Sequence, residues 1–537
     1  MMISIHKKRF RLVPFSVFIL LVSLTVFSCK KSTVIGEDPY DGGKQPLGIK
    51  FANEAADPEV GIQGEEATFK IRGLRPFEGK FKVLINETEA EVLTLTDSTV
   101  KVKIPLNAST GGITVIAEGQ TFFGPSFGIE GKVSLDASFK VVSGSNGSIL
   151  DMIPANNGYL MVGGFSDFDS KAALKPVNAI AMMNSQGEFQ SLNSGKGVSG
   201  VLFSANQLSG GQFIVAGLFN SYNRRLGISS IARLNSDGSL DSTRVQLINL
   251  TPEKPQMGFD TVSTFNGGVN GLIRKTFVRD NKITVVGNFT RYYRYFYERS
   301  TRDSKRIDIT TMNQIVRMKE DGSMDSTFNF NPATRQGYEG LNGSVEGAFM
   351  QQDGKIVITG DFTSFNGKPV NRIARINLDG SRDDTFNTGS GADNIVTSVT
   401  YNETKRKIML TGLFKNFNGT AANGVVMLNE DGSTDNSFKL GTISGGIVTF
   451  AHQLSSGKII LSGGFSRYNN VVRQGFMILN QNGSLAPGYN NSGAFEGYIS
   501  KVIETSSSLG NPAVILSGFI SKFDNKRVGN VLRVEIK

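Results

Sequence analysis

A twelve-residue phrase, "RINLDGSRDDTF" from Arg375 to Phe386, recurs along this 537-residue chain as "RLNSDGSLDST" (233–243), "RMKEDGSMDSTF" (317–328) and "MLNEDGSTDNSF" (427–438). A worn copy, "ILNQNGSLAPGY", stands at 478–489. A second landmark sets the phase. A strand-like run ending in Gly-x-Phe recurs at Gly163, Gly217, Gly287, Gly360, Gly412 and Gly463, and as Gly-Phe-Ile at Gly518. These seven copies lie 54, 70, 73, 52, 51 and 55 residues apart. Three positions after each Phe, or after Ile520, comes another aromatic: Phe168, Tyr222, Tyr292, Phe365, Phe417, Tyr468 and Phe523.

One unit reads as a strand ("KIVITGDF"), a hairpin ("TSFNGKPVN", whose Asn-Gly favours a type I′ turn), a strand ("RIARINL"), an Asp-Gly turn, a short extended segment ("DDTF") and a strand ("IVTSVTYN"). Asp383 and Asp384 read as turn residues, and the Phe after the turn and the Gly-x-Phe aromatic as core. Each buried Phe contributes roughly 1.5–3 kcal/mol. The heavy glycine content, 62 residues against 15 Pro, suits many tight turns between short strands. Small four-stranded units cannot bury both faces alone, so they stack radially into a propeller.

The array's ends support closure. "KVSLDASF" (132–139) is the second half of a unit without its first, and "NVLRVEIK" (530–537) is a first half that stops where Asp-Gly should follow. The expected fold is all-β, with residues 130–537 a seven-bladed β-propeller closed by a strand shared between its two ends. Before it, 47–129 carries alternating runs, "ATFKIRG", "KFKVLIN", "AEVLTLT", "TVKVKIP" and "GITVIAE", which predict a small antiparallel sandwich. Residues 29–46 are polar, aperiodic and rich in Gly, Pro and Asp, a tether.

Residues 1–28 combine Lys7, Lys8, Arg9 and Arg11 with an apolar run from Leu12 to Phe27, a secretory signal. "VFSC" resembles the lipobox of bacterial lipoproteins, which implies cleavage before Cys29 and its acylation. Cys29 is the only cysteine, so no disulfide forms within the chain. The order "FKIRGLRPFEGKFKVLINETEAEV" then "STVKVKIPLNASTGGITV" resembles an IPT/TIG immunoglobulin-like domain, which implies a spacer or interaction module. Residues 353–386 resemble the delta-60 repeat of bacterial surface and secreted proteins, which implies a β-propeller but no defined activity.

Catalytic chemistry has little to work with. His452 is the single histidine of the mature chain, and without a partner Cys or second His it reads as a satisfied strand residue. The Asp-Gly-Ser-x-Asp order does not supply a calcium loop. No catalytic residue, metal or cofactor is expected, and the chain reads as non-enzymatic; a glycosidase or lyase would need a carboxylate pair that nothing in the sequence singles out. The formal charge of +10 falls to +6 without the leader, and residues 48–130 carry eight Lys/Arg against twelve Asp/Glu, so nucleic acid is not an expected partner.

The most suggestive stretch is "RYYRYFYERSTRDSKR", 291–306, where 26 positions separate Phe289 from Ile315 against 11 from Phe362 to Ile373. Tyr292 fills the ordinary repeat position. Tyr293, Arg294, Tyr295, Phe296 and Tyr297 are extra, and such residues stack on sugars or pair with acidic groups. They equally suit an extended hairpin covering a neighbouring blade. The connection after Asp241 is enlarged too, and both insertions are expected as neighbours on one rim, 249–259 opposite the aromatics. The sequence therefore points to an envelope lipoprotein, held at the outer membrane through lipid on Cys29, that binds an extracellular glycan or protein; the alternative is a scaffold component of an outer-membrane complex.

Overall fold

Residues 50–130 build eight strands in one hydrogen-bonded path, six of them from residue 66 on: Lys50–Phe51, Glu66–Arg72, Thr99–Lys103, Thr88–Leu95, Phe81–Ile85, Gly111–Ala117, Gln120–Glu130 and Val60–Ile62. The computed structural model describes residues 45–175 and 177–537; the expected leader, Cys29 and most of the tether lie outside the described residues. Phe69 and Phe127 meet edge to face at 5.1 Å although four strands lie between theirs along the path. The sheet is therefore folded over its own core. Sequence reading missed Gln120–Glu130, where Gly124 and Pro125 interrupt the alternation.

In the array, Ser344–Met350, Ile356–Asp361 and Ile373–Ile376 form one antiparallel sheet, and the same three-strand order recurs in units spanning 148–184, 201–234, 272–319, 396–429, 448–479 and 496–536. Each first strand packs beside the next, and the strands of the last unit pack against Ser148–Ala155 of the first. Val531–Ile536 also pairs with Val133–Leu135, in the register Val534↔Leu135 and Ile536↔Val133. The landmark glycine is explained by this crossing of backbones: a Cβ on Gly360 would sit 2.0 Å from the carbonyl oxygen of Ser344.

Two expectations about the unit need correction. The segment after the Asp-Gly turn is not a fourth strand in most units; it makes single bridges, such as Ile376↔Arg382 and Met318↔Met324. Asp383 is not a turn residue. Asp379 holds the turn by accepting from the Ser381 amide at 2.9 Å, whereas Asp383 is buried, accepting from Arg375 Nε at 2.7 Å and Lys355 Nζ at 2.8 Å. Its other oxygen accepts from the Thr385 amide and hydroxyl, which curls the segment and ends the pairing. The Phe after the turn is core in Phe139, Phe328 and Phe438, as expected, while Phe386 is half-buried, its ring under the Arg375 guanidinium at 4.6 Å.

The repeat aromatics are core. Phe168, Tyr222, Phe365, Phe417, Tyr468 and Phe523 are all essentially sealed. Where the residue is Tyr, its hydroxyl donates to the glycine carbonyl of the unit's own turn: Tyr222 to Gly238, Tyr292 to Gly322 and Tyr468 to Gly483. Burial raises the Tyr222 and Tyr292 pKa values, the latter to about 12, so these hydroxyls stay donors. Among the described residues no helix is long and apolar enough to cross a membrane.

Candidate functional site

The two insertions fold onto each other. The connection after Asp241 forms a hairpin of Ser242–Gln246 and Phe259–Ser263; the later insertion forms Arg291–Phe296 and Arg306–Thr311. The Ile248 amide donates to Ser300 O at 2.9 Å, Arg302 Nη2 donates to Phe259 O at 2.9 Å, and Lys305 lies 3.6 Å from Asp260. Between them is an open depression of about 730 Å³ lined by Leu247, Ile248, Pro252, Pro255 and Phe259, with Glu298 the contribution of the later insertion.

None of the five residues singled out from the sequence lines that depression. Tyr293 donates to Ser229 Oγ at 2.5 Å, in the preceding unit. Tyr295 and Tyr297 stack on each other, 5.9 Å between centroids and 16° between planes, beside Gly227. Burial first, then the neighbouring Tyr295 and Asp260, push the Tyr297 hydroxyl up to about 12, and Lys305 lies over its ring. Strand alternation sends Arg294 and Phe296 to the other face. Arg294 reaches 3.9 Å from Asp321, and Phe296 is 44 % exposed. Three of the five aromatic or basic side chains are thus partly spent joining one unit to the next.

Sequence reading missed a second site, in the channel between the first strands. Every first strand carries a bulge at the same place, with register shifts at Ile149/Asp151, Leu202/Ser204, Ile273/Lys275, Val345/Gly347, Val396/Ser398, Val448/Phe450 and Ile499/Lys501. Bulges re-aim the residues that follow. In three units that residue is charged, and Asp151 is buried 3.0 Å from Lys275 and 3.6 Å from Lys501. Burial pushes the Asp151 carboxyl up, but the two ammonium groups outweigh it and hold it below its ordinary value. Burial also lowers Lys275, only partly offset by Asp151. The cavity here measures about 360 Å³. His452, in the strand Val448–Gln453 as expected, lines it, half-buried beside Phe450; burial and then the Lys501 charge lower it to about 4, so it is neutral. A bulge phase repeated seven times was the available signal, but bulges leave no residue signature here.

A beta-propeller family, a domain of unknown function (DUF5122), matches residues 211–243, 351–386, 406–438 and 454–488, and another domain of unknown function, DUF5008, matches 24–125. The array is a β-propeller-like domain. The units supplying Asp151, Lys275 and Lys501 lie outside the matched segments. No curated relative matches the chain. Similar solved structures include the computationally designed Ika8 protein (10% identity, 83% of this chain and 96% of that chain, TM-score 0.36), YCF48 bound to D1 peptide (10%, 75% and 96%, 0.36) and an auxiliary nutrient binding protein from Bacteroides ovatus (11%, 68% and 96%, 0.20).

Proposed function

We propose that this chain is a non-enzymatic binding lipoprotein of the cell envelope, anchored at the outer membrane by lipid on Cys29, in which an immunoglobulin-like spacer of the IPT/TIG kind carries a seven-bladed propeller whose inserted face takes an extracellular glycan or protein. One observation carries the ligand surface: two insertions that start about 50 residues apart in the chain bond to each other and leave a depression between them. Its apolar walls and single carboxylate, Glu298, suit a ligand with one donor-rich edge. Tyr293, Tyr295 and Tyr297 brace the later insertion against the preceding unit, and Phe296, exposed two positions before Glu298, is open to a ligand that extends beyond the depression.

The test is a glycan array and a surface-protein pull-down with the full chain, repeated with Glu298→Ala and with Phe296→Ala. Binding lost in both variants at an unchanged melting temperature supports the reading; binding that survives both but is lost on Lys501→Glu moves the site to the channel. The scaffold reading has its own observation. Arg306–Thr311 ends its four-stranded sheet, with Ile307 and Ile309 about half exposed, so it offers a strand edge to a protein partner. Co-purification of a stoichiometric membrane protein, lost on Ile309→Pro, favours that alternative.

A further inference from the structure

In six units the residue three positions before the third strand is apolar and buried or half-buried: Val177, Ile228, Met312, Val370, Ala422 and Val528. In the remaining unit it is Arg473, only 4% exposed. Its Nη1 donates to the carbonyls of Val472 at 2.6 Å and Asn107 at 3.2 Å; its Nε is sealed and has no hydrogen-bond partner. Among the described residues no carboxylate is in ion-pair range of it. Burial pulls the guanidinium down to about 10, so it is still charged at neutral pH. A buried cation without a counter-charge is costly, and apolar residues at the equivalent positions show that the unit does not need one there.

Arg473 lines a cavity of about 560 Å³ between the 50–130 sheet and the array, walled by Ile62, Leu106, Leu485, Ala486 and Pro487. Glu130 and Lys132 stand on the same lining and offset each other's charge. The walls are held in place: the Thr110 amide donates to Asn491 O at 2.8 Å, the Lys132 amide to Gly488 O at 2.7 Å, and Asn491 Nδ2 to Ile129 O at 3.1 Å and Val133 O at 3.0 Å. The cavity is therefore preformed rather than a gap between loosely tethered parts.

We propose that this cavity binds a small organic carboxylate with an apolar body, its carboxylate paired with Arg473. A guanidinium pairs with a carboxylate through two parallel hydrogen bonds, and the carbonyls that now share Nη1 leave that capacity unused. The apolar walls accept an aryl or short alkyl group, and the volume lies within the range of small-molecule sites. The competing explanation is that Arg473 merely ties down the Asn107 carbonyl.

Isothermal titration of the full chain with 4-phenylbutyrate and with the neutral 4-phenylbutyramide separates them. The expected result is saturable one-to-one binding of the acid, at least tenfold tighter than the amide, with the preference abolished by Arg473→Met, which places here the residue found at Met312. Leu106 is largely exposed, so Leu106→Asp, which sets a carboxylate at the rim without disturbing the core, should weaken the acid and spare the amide even if Arg473→Met fails to fold. No saturable binding of the acid, equal affinity for acid and amide, or an acid preference unchanged in the folded variants overturns the proposal.

Discussion

Arg533 and Asp136, nearly four hundred residues apart in the chain, form the same ion pair that Arg375 and Asp383 form eight residues apart. Arg533 Nε donates to Asp136 Oδ2 at 2.6 Å, Nη2 reaches Ser138 Oγ at 3.2 Å, and the guanidinium lies over Phe139 at 4.9 Å. Arg375 repeats this with Asp383, Thr385 and Phe386, and Arg317 with Asp325, Thr327 and Phe328. Each arginine then uses Nη1 to reach a carbonyl of the following unit: Arg233 to Glu320, Arg317 to Leu378, Arg375 to Glu430, and Arg533 to Ser185 of the first unit. The clasp that shapes one unit also staples it to the next, and Arg533 does so across the array's two ends.

Arg533→Ala should destabilise the whole array. Both side chains of its pair are at most 5% exposed, so truncating one leaves a buried charge unpaired, a loss of about 3–5 kcal/mol. Arg233→Ala should cost less, since that pair is 15–19% exposed. The double replacement Arg533→Met with Asp136→Leu should recover most of the loss. Urea unfolding of the three variants checks the order; an Arg533→Ala chain that frays at one end while keeping its main transition would show that the clasp is local.

Deleting 531–537 removes the same arginine and the strand that pairs with Val133–Leu135. Loss of the single melting transition and of protease resistance throughout the array is the expected outcome. Limited proteolysis that nicks only the last unit would contradict it.

Acid should weaken the array through the clasps. Asp136, Asp325, Asp383 and Asp435 are each raised by burial, but hydrogen bonds from Ser, Thr, Lys or Arg outweigh this and hold them well below the ordinary range. Their folded values lie below the unfolded value of about 3.9, so the unfolded state takes up protons first. The stabilisation is complete above about pH 5 and is lost as pH falls through the folded values. Melting temperatures at pH 5 and pH 3 should differ less in Asp383→Asn than in the parent.

Legibility in the sequence followed chemistry that repeats in one place. The Gly-x-Phe glycines, the Asp-Gly turns and the complementary ends at 132–139 and 530–537 are local patterns, and the strands they announce are present. The Arg375–Asp383 clasp was just as regular in the sequence, yet Asp383 stands four residues after a turn aspartate and passed for another. Asp151, Lys275 and Lys501 had no common motif at all; only the shared bulge brings residues from three units to one channel. Arg473 stood out only once the third strands were aligned by structure. Tyr293, Tyr295 and Tyr297 were correctly seen as extra, but residue type could not tell a ligand platform from a brace against Ser229 and Gly227.

Cleavage before Cys29 should leave the membrane-extracted protein without residues 1–28 and with added acyl mass, and Cys29→Ser should release it to the soluble fraction. Intact-mass measurement decides this. An unmodified, retained leader would remove the envelope anchor from the proposal.

His452 gives a pH signature in a different window. It is the single histidine after the expected leader, and burial, then Lys501, lower its folded value to about 4 against about 6.5 in the unfolded chain. Above about 6.5 it is neutral in both states and contributes no pH dependence. As pH falls from about 6.5 towards 4 the unfolded chain gains a proton that the folded channel refuses, so stability drops across that interval. The clasps begin to titrate only near the bottom of it, which leaves the interval from 6.5 to 5 to His452. His452→Phe, matching its ring neighbour Phe450, should flatten the denaturation free energy between pH 6.5 and 5 while leaving the acid transition below 4 in place. An equal slope in the parent and the variant would mean that the imidazole takes up a proton as readily in the folded channel as in the unfolded chain.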